Sequence, residues 1–311
     1  MTMALVFPGQ GSQSVGMGRS LFDANAESRQ VFEEVDEALG EKLSTLIFEG
    51  PEERLTLTQN AQPALMAVSV AVIRALEAEG FDVSRASYLA GHSLGEYSAL
   101  TAAGALTLAD AGKLLRIRGL AMQEAVPRGQ GAMAAILGLG ADEVVRLCQD
   151  AAEGGVCETA NDNGGGQIVI SGDKRAVERA VALAPERGAK RAIPLTVSAP
   201  FHCRLMQPAA DRMAEALAGA RINAPTVPVV SNITASPTSD PDEIRERLVR
   251  QVTGQVRWRE SVEWLAGAGV TSLVEVGSGK VLTGLARRID RSLEAKAVGT
   301  AEDVRAFVEG G

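Results

Sequence analysis

Residues 89–100 read LAGHSLGEYSAL. An apolar run, ASYLAG at 86–91, leads into His92 and Ser93, and LGEYSALTAAGAL at 94–106 leads away. The first predicts a short buried strand and the second a helix. Ser93 then stands at a strand-to-helix turn, and Gly91-His92-Ser93-Leu94-Gly95 fits G-x-S-x-G, in which glycines let the chain turn sharply enough to lift a serine hydroxyl above a sheet. The same five letters also describe an ordinary glycine-rich turn. The flanking elements favour a nucleophile, because the start of the helix aims its first amides at any oxyanion formed beside Ser93.

Working outward, ALVFPG at 4–9 reads as a strand closed by Pro8-Gly9, and 27–39 as an amphipathic helix with Val31, Val35 and Leu39 on one side. A long apolar helix spans 62–80, and another covers 107–126, opened by Thr107 and Asp110 as a capping box with Asp in place of the usual Glu. From 128 the pattern changes. Strand 132–139, helix 141–151, strands 156–162 and 166–172, helix 173–188 and strand 189–195 follow the order βαββαβ, the ferredoxin-like split motif. Beyond it come a helix at 206–219, a strand at 227–232, helices at 241–252 and 258–269, a strand at 271–277 and a final helix near 280–289. The alternation predicts an α/β chain with a parallel sheet covered on both faces. Residues 1–127 and 197–311 form its large domain, and 128–196 an inserted subdomain.

Composition agrees. The chain is 46% hydrophobic but 4% aromatic, so Ala, Val and Leu must fill the core, which suits helices packed on a parallel sheet. The net charge of −8 and the lack of a Lys/Arg run argue against a nucleic-acid partner. Cys148, Cys157 and Cys203 have no zinc-type spacing, so neither a disulfide framework nor a metal is expected. The N-terminal stretch lacks a signal-peptide pattern, and the apolar run at 64–76 is interrupted by Arg74. A soluble, cytoplasmic protein with no membrane contact is the expectation.

A serine nucleophile needs a base, and the chain has only two histidines. His92 adjoins the serine, and neighbours on such a turn point apart. His202, in VSAPFHC at 197–203, is therefore the expected base. A lone histidine beside Phe201 is ordinarily structural, but scarcity reverses that preference. No acid to orient the imidazole stands out; a backbone or amide carbonyl would also serve. Arg118 falls on the apolar stripe of Ala111, Leu114, Leu115, Ala121, Met122 and Ala125. A guanidinium there needs a carboxylate. An internal partner such as Glu96 and a substrate carboxylate held bidentately both meet that need.

Taken together and in order, VFPGQGSQ at 6–13, GHSLGEYSAL at 91–100, Arg118-Gly119 with Met122-Gln123, GQIVISG at 166–172, SAPFHC at 198–203 and EVGSGKVLTGL at 275–285 resemble the malonyl-CoA:acyl carrier protein transacylases of fatty acid synthesis. The resemblance runs from residue 5 to about 290. It implies a hydrolase-like large domain with an inserted ferredoxin-like lobe. It also implies a malonyl ester on Ser93, His202 as base, Arg118 on the malonyl carboxylate and an oxyanion hole from the amides of Gln10 and Leu94. The histidine would be oriented by a carbonyl at Gln251. Asn161 and Asn232 would line the acyl and pantetheine channel, Phe201 would crowd a 2-methyl branch, and His92 would be a supporting residue.

The implied partners are malonyl-CoA and holo-acyl carrier protein, with no cofactor, no metal and a monomeric chain. Lys280, Arg287 and Arg288, or Lys190 and Arg191, are candidate docking cations for an acidic carrier. Rival readings are a discrete malonyltransferase of a polyketide synthase and a serine thioesterase or esterase, the latter opposed by Arg118. VGSGKV at 276–281 is a structural turn and no nucleotide site, since Val274, Val281 and Leu282 replace the required Gly, Ser or Thr, and Gly. The NIT sequon at 232–234 has no secretory context.

Overall fold

The apolar run Ala4-Leu5-Val6-Phe7 is buried along its whole length and lies inside a sheet. The structure, a computed structural model, describes residues 2–310. Its strands in chain order are β1 (Met3–Phe7), β2 (Tyr88–Gly91), β3 (Gly131–Leu137), β4 (Cys157–Asp162), β5 (Gln167–Asp173), β6 (Arg191–Pro194), β7 (Val229–Ser231), β8 (Ser236–Thr238), β9 (Ser272–Val276) and β10 (Glu294–Val298). One sheet has the order β10-β9-β1-β2-β7-β8 and the other β4-β5-β3-β6. In the larger sheet every neighbouring pair is parallel except β7 with β8. Phe7 lies opposite Gly91, so the ends of β1 and β2 emerge side by side with Ser93 just beyond them.

Alternation along β1 explains the two covered faces. Leu5 and Phe7 join a core with Leu65 and Val68 of the Thr58–Ala78 helix and Leu115 of the Leu108–Glu124 helix. Ala4 and Val6 join the opposite core with Trp258 and Val262 of the Trp258–Gly267 helix and Leu285 of the Val281–Ile289 helix.

The smaller sheet is antiparallel throughout. Its strand order interleaves the two βαβ halves of the 131–194 stretch, the split arrangement expected from βαββαβ. Ile136 and Ile170 pack under Leu147 and Val177 of the Ala141–Ala152 and Lys174–Leu183 helices. On the other face Met133, Ala135 and Val169 pack with Val197 and Phe201. That face turns toward Ser93, and Met133, Val169, Val197 and Phe201 line the same cavity as the serine. The sheet is tied down by Asp162 N donating to Val256 O at 2.9 Å, Val256 N donating to Ala160 O at 2.8 Å, and Arg259 pairing with the Asp162 carboxylate at 2.9 Å.

Several elements differ from the sequence reading. The core helix starts at Thr58 and carries Pro63 inside, four residues ahead of the expected start. It is long and apolar enough to cross a membrane despite Arg74, but most of it is buried inside the protein. The helix after Ser93 stops at Ala102, where Gly104 turns with φ 72°. The Val281–Ile289 helix is not the last element: β10 and an Ala301–Glu309 helix follow, the latter with a Thr300/Asp303 capping box. Helices Arg19–Ala24, Leu43–Glu49 and Glu52–Leu55 were not anticipated.

The VGSGKV turn also has a physical explanation. Buried Glu275 accepts from the amides of Leu282 and Thr283 and from the Thr283 hydroxyl, so a carboxylate of the chain itself occupies the helix start where a nucleotide site would hold phosphate. Asn232 of the sequon is 1% exposed.

Candidate active site

Ser93 has φ 54°, a strained conformation for a residue with a side chain, and the glycines around it are required by close approach. A Cβ on Gly91 would lie 1.9 Å from the Gly95 carbonyl, and one on Gly95 would lie 2.3 Å from Phe7 O. Gly9 meets the same limit, 2.7 Å from His92 O. Asn232 fixes the turn from behind: Ser93 N donates to its Oδ1 at 2.7 Å, and its Nδ2 donates to Gly91 O at 2.6 Å. Among the described residues the amides of Leu94 and Gln10 have no internal acceptor. The Gln10 side chain is anchored, its Oε1 accepting from Thr58 Oγ1 at 2.5 Å.

His202 Nε2 lies 2.8 Å from Ser93 Oγ, and its Nδ1 lies 2.9 Å from Gln251 O. A carbonyl oxygen can only accept, so Nδ1 carries the proton and Nε2 presents its lone pair to the serine. Burial, followed by the Arg118 cation, pushes the His202 pKa down to about 3. The imidazole is neutral near pH 7, as a general base must be.

Arg118 is 1% exposed. Its Nη1 donates to Gln62 Oε1 at 2.7 Å, and its Nη2 donates to Gln251 Oε1 at 2.8 Å and to Ser93 Oγ at 3.1 Å. Nε has no partner among the described residues. None of these acceptors is a carboxylate. Glu96, the internal candidate, is buried but stands behind Gln251, its Oε2 accepting from Gln251 Nε2 at 2.7 Å and from Asn232 N at 3.1 Å. The guanidinium is thus gripped by neutral oxygens, which take three of its five N–H bonds. Gly119 makes the grip possible: a Cβ there would lie 2.5 Å from Gln59 Cα, so the two helices touch and Arg118 reaches Gln62.

Ser93, His202 and Arg118 line one cavity of about 500 Å³, and Leu94, Asn161 and Phe201 line it too. His92 also borders it, but its Nε2 meets Asn163 Oδ1 at 2.9 Å and burial lowers its pKa. The expectation for Asn232 is corrected: it lies outside the cavity lining and acts on the backbone of the turn. Of the surface cations, Arg288 reaches the cavity, Arg287 donates to Ala295 O at 2.8 Å, and Lys280 lies in a neighbouring cleft. Lys190 and Arg191 are exposed at β6. The sequence reading missed Gln62, Glu96 as an anchor, and Asn163. Gln62, a polar residue 1% exposed within an apolar helix, left a signal that could have been read. Among the described residues no His, Cys, Asp and Glu cluster suits a metal, and all three cysteines are free.

The family described as the acyl transferase domain matches residues 4–306. The malonyl CoA-acyl carrier protein transacylase of Escherichia coli (strain K12) is 49% identical over 306 residues, 98% of each chain. The crystal structure of an acyl-carrier-protein-S-malonyltransferase from Bartonella henselae superposes with a TM-score of 0.98 at 57% identity, covering 100% of this chain and 99% of the other. A malonyl-transacylase solved in complex with a type II PKS acyl-carrier protein superposes at 0.97 with 45% identity, covering 100% of both chains.

Proposed function

The chain belongs to the acyl transferase family, and from that premise we propose that it transfers the malonyl group of malonyl-CoA to the phosphopantetheine thiol of acyl carrier protein, supplying malonyl carriers for fatty acid elongation. In this reading residues 1–127 with 197–311 form the catalytic lobe and 128–196 the lobe that covers it. The protein is a cytoplasmic monomer without nucleic-acid or membrane partners, and the scheme calls for no metal or bound cofactor.

Ser93 Oγ attacks the thioester carbonyl carbon as its proton passes to His202 Nε2. The resulting oxyanion accepts from the free amides of Leu94 and Gln10. The imidazolium keeps its Nδ1–H on Gln251 O. As the C–S bond breaks, coenzyme A leaves with the proton from Nε2. The carrier thiol then reverses each step, attacking the ester and returning Ser93 to its free form. Arg118 holds the distal malonyl carboxylate, and Phe201 narrows the space beside the acyl carbon.

The observation that carries this reading is the buried Arg118 guanidinium, bonded to neutral oxygens and to no carboxylate, beside a Ser93–His202 pair. A hydrolase of neutral esters would have no use for that cation. Acetyl in place of malonyl would leave it unpaired, which disfavours the smaller acyl group. A second reading, delivery to a polyketide carrier, is favoured by the similarity to the transacylase solved with a type II PKS acyl-carrier protein.

Mass spectrometry of the intact chain after mixing with malonyl-CoA and acid quenching tests the proposal. A malonyl adduct absent from Ser93→Ala, reduced in Arg118→Ala and discharged by holo-carrier protein is expected. Free malonate accumulating without an adduct would overturn it in favour of a hydrolase.

A further inference from the structure

We propose that Glu96 is a positioning residue for acyl selection, acting through the side-chain amide of Gln251 to hold Arg118 ready for a carboxylate. This rests on malonyl transfer as the activity. It assigns roles to a buried carboxylate and to a side chain whose main-chain oxygen alone serves His202.

Each end of the Gln251 amide faces groups of one kind. Its Oε1 meets the Arg118 guanidinium at 2.8 Å, a group with donors only. Its Nε2 meets Glu96 Oε2 at 2.7 Å and Ser93 O at 3.0 Å, both acceptors. Turned about, the amide would set its NH2 against a cation and its oxygen against a carboxylate. Glu96 supplies the carboxyl group on the amino side, and Glu96, Gln251 and Arg118 are all buried, where a misdirected donor is expensive.

The spacing matters as much as the orientation. A carboxylate bonded directly to Arg118 would have to be displaced by each incoming acyl carboxylate. With Gln251 between them, Glu96 supports the cation from one amide away and occupies none of the guanidinium N–H groups itself. The neutral oxygens of Gln62 and Gln251 fix the guanidinium without neutralising it.

Glu96 has a second arm. The same Oε2 accepts from Asn232 N, and Asn232 holds the Ser93 amide and Gly91 O. Damage along the Asn232 arm distorts the nucleophile and affects every acyl donor. Damage along the Gln251 arm also reaches Ser93, through Ser93 O and Arg118 Nη2, but adds a loss confined to donors that carry a carboxylate. The ratio of malonyl to acetyl acylation therefore separates positioning of Arg118 from general support of the fold.

The experiment measures kcat/KM for acylation by malonyl-CoA and by acetyl-CoA in wild type, Glu96→Ala, Glu96→Gln, Gln251→Ala, the Glu96→Ala/Gln251→Ala double variant and Asn232→Ala. Loss of a buried charge-assisted bond predicts a fall of about tenfold or more in the malonyl/acetyl ratio for Glu96→Ala. Gln251→Ala should show the same fall, and the double variant no further fall, because both act on one path. Glu96→Gln should recover most of the ratio, since its amide oxygen can accept the same two bonds. Asn232→Ala should slow both donors together. A Glu96→Ala ratio within about threefold of wild type, or additive ratio losses in the double variant, would overturn the proposal. If Glu96→Ala does not fold, Glu96→Asp, whose carboxylate falls one methylene short of Gln251, is held to the same criterion. A wild type without malonyl preference would overturn the malonyl specificity on which this proposal rests.

Discussion

His202 and Arg118 converge on one atom, with Nε2 of the first 2.8 Å and Nη2 of the second 3.1 Å from Ser93 Oγ. The guanidinium proposed to hold the acyl carboxylate therefore also acts on the base. Burial is the larger cause of the depressed His202 pKa, and the Arg118 cation is the next. Removing the cation makes the imidazolium easier to form, so less neutral base remains at a given acidic pH. In Arg118→Ala the acid limb of Ser93 acylation by acetyl-CoA should move to higher pH, read from rate profiles between about pH 4 and 8. An unmoved limb would mean that burial alone sets the base.

The same depression links folding to pH. His202 sits near 3 in the folded chain against 6.5 for the ordinary group. Its neutral form is compatible with the fold, so this contribution is complete above pH 6.5 and is lost as pH falls toward about 3. His202→Gln, which cannot charge, should show a shallower loss of stability over that window in urea titrations.

Gly95→Ala tests the turn by itself. The added methyl would lie 2.3 Å from Phe7 O and 2.9 Å from Pro8 O, both backbone atoms that cannot move aside cheaply. Overpacking typically costs about 1–3 kcal/mol, and the strand end beside Ser93 must shift. The variant should melt several degrees below wild type and acylate at a small fraction of its rate. Gly104→Ala is the comparison: its Cβ meets nothing, although its φ of 72° carries the usual strain.

These relations explain what could be read beforehand. Gly91, Ser93 and Gly95 were legible because a sharp turn demands those residue types in adjacent positions. His202 was legible because of scarcity, and Arg118 because a charge on an apolar stripe contradicts its surroundings. Gln62 and Glu96 were harder to read because their partners, Arg118 and Gln251, lie 56 and 155 residues away, and no local period encodes such a pairing. Asn232 was legible as a site residue but not as a backbone clamp, since the geometry of Gly91 O and Ser93 N exists only once β2 and β7 pair. β10 was hidden because an edge strand with Glu294 and Lys296 exposed has a short, weak apolar pattern.

Asn232→Ala leaves the Ser93 amide and the Gly91 carbonyl without their partner. An unpaired buried group costs about 1–3 kcal/mol, and the turn that carries Ser93 loses its clamp. Stability should fall by that order, with acylation slowed for both donors. Asn232→Asp keeps the acceptor for Ser93 N but sets a carboxylate oxygen against Gly91 O, so it should be no better than Ala in urea midpoint.

Glu275→Ala tests the turn that mimics a nucleotide loop. The carboxylate is fully buried and serves three donors, Leu282 N at 3.1 Å, Thr283 N at 2.8 Å and Thr283 Oγ1 at 2.8 Å. Its loss strands those donors at the start of the Val281–Ile289 helix, with a destabilisation of about 3 kcal/mol in urea unfolding as the expected outcome. That helix supplies Leu282, Leu285 and Arg288 to the cavity wall, so KM for malonyl-CoA should rise while the Ser93–His202 pair, held by other elements, keeps its pH profile. Glu275→Gln, retaining one acceptor oxygen, should fall between. A loss under about 1 kcal/mol in Glu275→Ala would mean that water replaces the carboxylate, and that the helix start is open enough for an external anion to enter.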